Sequence, residues 1–390
     1  MEATYELDFE WVHLAYEETA GFGETYGFSG NQGMVNVEGI RIVPRGVRSD
    51  TLQIFMHPAS TLQLLPVPRE SARRGAHVLC AGSRYARNDT AAILEKVVLD
   101  LGAYIRHAKN VWRYRNIVLV GWSGGGSLAL FYQAQAEAPS VTVTPAGDPV
   151  DLCKAELVPG DAVIFQAAHS SRAQLLVDVI DPSVIDELSP DDREPRFDIY
   201  ADSFPLRPPF DRHFVDTYQA AQLARVRRIT HWVKATLAGL RDRGSAEVER
   251  GFVTHRTMAD LRFLDSRIDP NDRQIGRCYL GVPATVNTGP VGLARFSTLR
   301  AWLSHWSIDD THADGIVCAG RIRVPLLAIE HTADDAVPQP HTTRVFDAAA
   351  SADKQFIQIR GATHYFAGQP ELLRQAGGIV RNWLEQRGLS

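Results

Sequence analysis

The sequence predicts an α/β protein with a mostly parallel, doubly wound sheet interrupted by a helical insertion. Three observations carry this. Short apolar runs recur along the 390 residues, at 52–56, 77–80, 117–120, 162–165, 324–329 and 356–359, and most are apolar throughout. Strands of a parallel sheet covered by helices on both faces read this way. Amphipathic helical patterns fall between the runs, which is the alternation of an α/β sheet. The rhythm then breaks between Phe165 and Val324, a gap far longer than the roughly 30 residues of a βα unit.

Each element has its own signal. Residues 34–43 alternate (Val35, Val37, Ile40, Ile42) and suit an antiparallel edge hairpin at the start of the sheet. Asp89 or Thr90 can cap a helix whose apolar positions are Ile93, Leu94, Val97, Leu101 and Ile105. Residues 127–136, rich in Ala, Leu and Gln, form the next helix. Within the gap, Val215, Tyr218, Leu223, Val226, Ile229, Val233, Leu237 and Leu240 keep one apolar helical face. Arg225, Arg227 and Arg228 then read as its solvated side. A last helix covers 371–383. The domain reading is a core of residues 1–169 and 320–390 with a mostly helical cap at 170–319.

Composition narrows the function. The chain is 45% hydrophobic and 22% charged, with 41 basic and 46 acidic side chains and a net charge of -5. This suits a soluble globular protein and argues against a general nucleic-acid partner. No apolar stretch approaches the roughly 18 residues of a membrane helix. The acidic start, Met-Glu-Ala-Thr-Tyr-Glu, lacks a signal peptide's basic flank. A cytoplasmic protein with no membrane partner is expected. The four cysteines lie far apart without CxxC spacing, as buried small side chains or free thiols of a reducing compartment do.

One motif carries chemistry. Gly121-Trp122-Ser123-Gly124-Gly125 follows a strand run directly and precedes a helix. This is the nucleophile elbow, G-x-S-x-G, and its strand–turn–helix context makes it specific. The serine needs a sharp, strained turn, and the flanking glycines let strand and helix approach without a Cβ between them. Such a turn lifts the hydroxyl above the sheet near a helix N-terminus, where an oxyanion is favoured. A serine hydroxyl also needs a general base oriented by a carboxylate.

Two later segments supply candidates. Glu330-His331-Thr332-Ala333-Asp334-Asp335-Ala336-Val337-Pro338 follows one late run, and Gly361-Ala362-Thr363-His364-Tyr365-Phe366 follows the last. Together the elbow, the Asp-x-x-Val-Pro and the Gly-Ala-x-His resemble the α/β-hydrolase superfamily, and within it serine hydrolases of the esterase/lipase type. The resemblance covers about 34–170 and 320–390. It implies Ser123 as nucleophile, Asp334 as acid and His364 as base, with no cofactor and no metal. Asp335 and Glu330 stand as competitors for the acid. His331 and His341, on the acid loop, suit structural roles.

The resemblance also implies an oxyanion hole made by the Gly124 amide and one amide of the loop after the third strand. That loop reads Met56-His57-Pro58-Ala59-Ser60 and departs from the family's glycine-rich form. Pro58 has no N–H to give, which leaves Ala59, or failing it Ser60. Trp122, His57, Trp302 and Trp306 are expected to contact substrate. Residues 84–89 (Arg-Tyr-Ala-Arg-Asn-Asp) could orient a polar substrate or form an ion-paired turn. The His and Asp residues of 305–314 suit a return segment from the cap better than a metal site.

The reaction expected is hydrolysis of a small-molecule carboxylic ester through an acyl-enzyme. A thioesterase, a lactonase or a C–C bond hydrolase would use the same three residues. A ligand-binding protein on the same fold, without turnover, has no physical need to keep them. The sequence leaves a homo-oligomer open.

Overall fold

A computed structural model describes residues 4–18, 34–244 and 247–390. Ten strands are β1 (Leu7–Glu17), β2 (Met34–Pro44), β3 (Thr51–Met56), β4 (His77–Ala81), β5 (Asn116–Ser123), β6 (Ala162–Ala168), β7 (Gly251–Val253), β8 (Phe296–Thr298), β9 (Leu326–His331) and β10 (Lys354–Ile359). Eight of them form one sheet in the order β1-β2-β4-β3-β5-β6-β9-β10. β2 is antiparallel to both β1 and β4, and the remaining pairs are parallel. This is the strand order of the α/β-hydrolase fold, in agreement with the sequence. The segment at 34–43 is one long strand, with β1 as its hairpin partner. The outer strand mixes exposed Phe9 and Trp11 with charges, which hides its periodicity; its Glu10 pairs with Arg41 of β2 and its Asp8 with Arg45 just beyond β2.

The inner strands β3, β4, β6 and β9 are buried along their whole length. Helices cover both faces: α1 (Pro66–Arg73), α2 (Leu94–Asn110), α3 (Gly125–Glu137), α4 (Arg172–Val179), α5 (Arg212–Asp242), α6 (His341–Ala348) and α7 (Pro370–Glu385). One apolar cluster packs α2 and α3 against the sheet, and another packs α1 and α7 on its opposite face.

Helix α2 starts later than its sequence suggested. Neither Asp89 nor Thr90 caps it; Ile93 occupies the N-cap position and offers no side-chain bond. Asp89 instead accepts from Arg172, and the Leu94 amide donates to Ser304 Oγ at 2.8 Å. A distant side chain has taken the capping role.

Between β6 and β9 lie α4, the 31-residue α5, the two-stranded β7–β8 ribbon and several short helices. Val226, Ile229, Val233, Trp302 and Trp306 form part of one apolar cluster in this region, and Phe197, Phe204, Phe210 and Tyr218 form part of a second. Arg225 corrects the expectation of a solvated side. It is 1% exposed and makes two bonds to the Glu187 carboxylate and others to the carbonyls of Asp181, His255 and Arg256. Arg227 and Arg228 are exposed and paired to Asp309 and Glu187. No helix among the described residues is long and apolar enough to cross a membrane.

Candidate active site

Ser123 ends β5 and sits at φ +53°, the left-handed region that costs a non-glycine residue strain. The β5–β6 register shifts between Trp122 and Ser123, so the chain leaves the sheet at this residue and enters α3 two positions later. The elbow is closely packed. A Cβ on Gly125 would collide with the Met56 carbonyl oxygen, and one on Gly121 would meet the Gly126 Cα at 2.5 Å. Glycine at these positions is what brings the β3 loop, the strand end and the helix start together.

Asp334 and His364 leave the C-terminal ends of adjacent strands β9 and β10, and both are buried. His364 Nδ1 lies 2.8 Å from Asp334 Oδ2. The other oxygen of Asp334 accepts the amides of Ala336 at 2.9 Å and Val337 at 2.7 Å, which fixes the carboxylate. His364 Nε2 is buried and has no hydrogen-bond partner among the described residues. Ser123 and His364 line one cleft of about 450 Å³. The competitors lie in other bonding schemes. Glu330 accepts from Gln358 and Thr343. Burial pushes the Asp335 carboxyl up, with the Asp334 charge adding to the effect.

The other histidines of the region are held elsewhere. His331 Nε2 meets Gln166 and its Nδ1 meets the Thr363 carbonyl; burial pushes its imidazole down to about 4. His341 Nδ1 meets Ser170. Burial also lowers His57, His169 and His305 well below the usual imidazole range, with the Arg172 charge adding to each. Of these, His57 and His169 line the cleft.

Four substrate-contact candidates are placed differently. Trp122 and His57 line the cleft, and the Trp122 ring lies 4.2 Å from that of His364. Trp302 does not line it. It is fully buried in the apolar cluster with Val226 and Val233, and its indole N–H donates to Thr230. Trp306 is also fully buried, and its ring lies 4.6 Å under the Arg172 guanidinium. Both tryptophans belong to packing because the helix carrying them turns its aromatic side toward α4 and α5.

The Ala59 expectation is corrected too. The Ala59 and Ser60 amides both donate to His57 Nδ1, at 3.1 and 3.0 Å, so neither is directed at an incoming oxyanion. Arg84 is an ion-paired structural residue. It binds the carboxylates of Asp100 and Glu18. Arg87 and Asp89 line the cleft.

In the segment at 305–314, His312 meets Glu95, Asp309 pairs with Arg227 and Asp310 with Lys234. Asp314 caps the short helix Gly315–Ala319. Among the described residues no group of three His, Cys, Asp or Glu side chains could hold a metal ion. All four cysteines are free thiols.

Arg172 was missed in the sequence. It is buried, lines the cleft, and pairs through Nη2 with Asp89 at 2.7 Å. A signal existed: it falls four residues past the end of β6, and in an open α/β sheet ligands bind outside the carboxyl ends of strands.

Solved structures resemble this chain over most of its length. DcsB in complex with its substrate analogue is 11% identical with a TM-score of 0.51, covering 96% of this chain and 99% of that one. The esterase domain of a Rhodothermus marinus protein is 13% identical with a TM-score of 0.45, covering 97% and 98%. Monoacylglycerol lipase of Paleococcus ferrophilus is 12% identical with a TM-score of 0.46, covering 89% and 98%. At such identities the likeness is one of fold. No protein-family model and no curated protein sequence matches the chain.

Proposed function

We propose that the chain is a serine hydrolase that cleaves a carboxylic ester of a small molecule. The observation that carries this is the buried His364–Asp334 pair, whose free Nε2 shares a cleft with the left-handed Ser123. Ser123 Oγ attacks the ester carbonyl carbon while His364 Nε2 takes its proton. Asp334 holds the imidazole with its proton on Nδ1 and stabilises the imidazolium that forms. The carbonyl π electrons pass to oxygen, beside the Gly124 amide. Collapse restores the carbonyl and expels the alkoxide, which takes the proton from His364. Water, deprotonated by the same histidine, then attacks the acyl carbon, and collapse releases the acid and the Ser123 alkoxide, which takes the proton back from His364. The Ser123–His364 hydrogen bond forms with substrate in place, as such bonds often do.

The region at 170–319 acts in this reading as a cap that shapes the cleft and excludes water. Thioesters, lactones and vinylogous diketones would enter the same steps.

Labelling with a fluorophosphonate, followed by peptide mass spectrometry, tests the reading. An adduct on Ser123, lost in Ser123→Ala and His364→Ala, is expected. So is turnover within an ester, thioester, lactone and C–C substrate panel. A folded protein with neither adduct nor turnover would overturn it.

A further inference from the structure

We infer that the second oxyanion donor of this site is the imidazole N–H of His57, backed by the guanidinium of Arg172, in place of a loop amide. The inference rests on Ser123 being the nucleophile. It begins with Pro58, which has no N–H, so the loop after β3 lacks a donor at that position. The next two amides, Ala59 and Ser60, turn back onto His57 Nδ1.

That turn fixes the tautomer. A ring nitrogen that receives two N–H donors carries no proton of its own, so the neutral imidazole carries its proton on Nε2. Burial and the neighbouring Arg172 and His364 keep the ring neutral. Nε2–H is therefore a donor, and its place is defined. A Cβ built on Gly124 would lie 2.5 Å from His57 Nε2 and 2.9 Å from Arg172 Nη1. Both nitrogens thus stand over the residue that follows Ser123.

Arg172 Nη1 lies 3.3 Å from His57 Nε2, within hydrogen-bonding reach, and a guanidinium only donates. Three N–H groups thus compete for the ring's one lone pair, two amides at Nδ1 and the guanidinium at Nε2. With the shorter amide pair holding it, Nε2–H and Nη1–H both turn to an acceptor that reaches the two together. The guanidinium cannot swing away. Its Nη2 is tied to Asp89 and Trp306 lies against its face. Beside the nucleophile, the acceptor that suits this pair is the carbonyl oxygen as it gains charge. When Ser123 Oγ bonds to the carbonyl carbon, the π pair moves to that oxygen, which accepts from Gly124 N–H and His57 Nε2–H. His57 keeps its proton throughout, and collapse returns the pair to the carbonyl. A neutral imidazole suits this role, since its weakly acidic N–H polarises the oxygen while the proton stays on nitrogen.

The same pair could instead recognise a carboxylate elsewhere on the substrate, and steady-state kinetics separate the two roles. The substrate is a p-nitrophenyl ester turned over by the intact chain, and the probe is an aryl trifluoromethyl ketone whose adduct with Ser123 bears an oxyanion. For His57→Ala we expect kcat to fall about 10²- to 10³-fold, the usual loss of one oxyanion donor, with KM within threefold. Ketone inhibition should weaken in parallel. His57→Gln, whose amide can donate, should recover at least tenfold over alanine. A His57→Ala enzyme with kcat within threefold of the parent overturns the inference. So does a loss confined to KM, which would mark carboxylate recognition.

Thermal unfolding of each variant guards against misfolding. If His57→Ala does not fold, Arg172→Met takes its place, with a kcat loss of at least fivefold expected and an unchanged kcat overturning the inference. Absence of a Ser123 adduct in the parent protein would instead sink the underlying hydrolase reading, so the two failures are distinguishable.

Discussion

Asp334 holds its own loop with one oxygen and His364 with the other. Asparagine could keep the loop bonds through its carbonyl but would turn an N–H₂ toward His364 Nδ1. The imidazole would then place its proton on Nε2 and could not accept one from Ser123, as the proposed mechanism requires. Asp334→Asn should lower kcat about 10³- to 10⁴-fold while the thermal midpoint moves by only a few degrees; a stopped assay and a melting curve check both. At this scale the sequence was most legible where backbone chemistry is punctuated by glycine, as in the left-handed turn at Ser123, and in the loops after the last two strands, which bring Asp334 and His364 together. It was least legible at Ala59. Which way an amide points depends on His57, two residues before it, and no spacing rule reports that. Arg172 is similar, since its role rests on Asp89 and Trp306, which the fold alone brings to it.

Helix α2 is capped by a residue about 210 positions away in the chain. Ser304 accepts from the Leu94 amide and donates to Glu95 at 2.7 Å, while His312 meets the other oxygen of Glu95 at 2.9 Å. Ser304→Ala should cost about 1–2 kcal/mol, the usual value of a lost N-cap, with Glu95 adding the penalty of a buried carboxylate short of one donor. Urea unfolding reads this directly, and a cost under a few tenths of a kcal/mol would show that the cap contributes little. Element existence was plain in the sequence because periodicity survives folding: α5 and the inner strands lie where the apolar runs placed them. Which polar residues fall inside was harder. Arg225 sits three positions after Gln222 and four before Ile229, both on the buried stripe, so helical spacing did contain the answer. Its charge outweighed its position in the reading.

Across the whole molecule, acid should be the sensitive variable. His57, His169, His305 and His331 all titrate below an unfolded histidine in the native state, His331 at about 4. Between pH 6.5 and 4 the unfolded chain therefore binds protons that the native state refuses, and stability falls as pH drops through that window. Asp269, pushed up to about 6, together with Glu330 and Asp335, opposes the trend in part. His331→Gln should flatten the slope by at most one proton, about 1.4 kcal/mol per pH unit, as chemical unfolding at stepped pH would measure. The strand order has a kinetic consequence as well. β9 pairs directly with β6, yet roughly 160 residues separate them in the chain. Closing a loop of that length costs about 4–5 kcal/mol in chain entropy before any contact between the two strands repays it. β1 to β6 can assemble through short connections, so refolding should protect their amides first. Pulse-labelled hydrogen exchange should find β9 and β10, the strands that deliver Asp334 and His364, joining last. On the proposed reading, a newly made chain would then hold its serine in place well before it acquires the base that activates it.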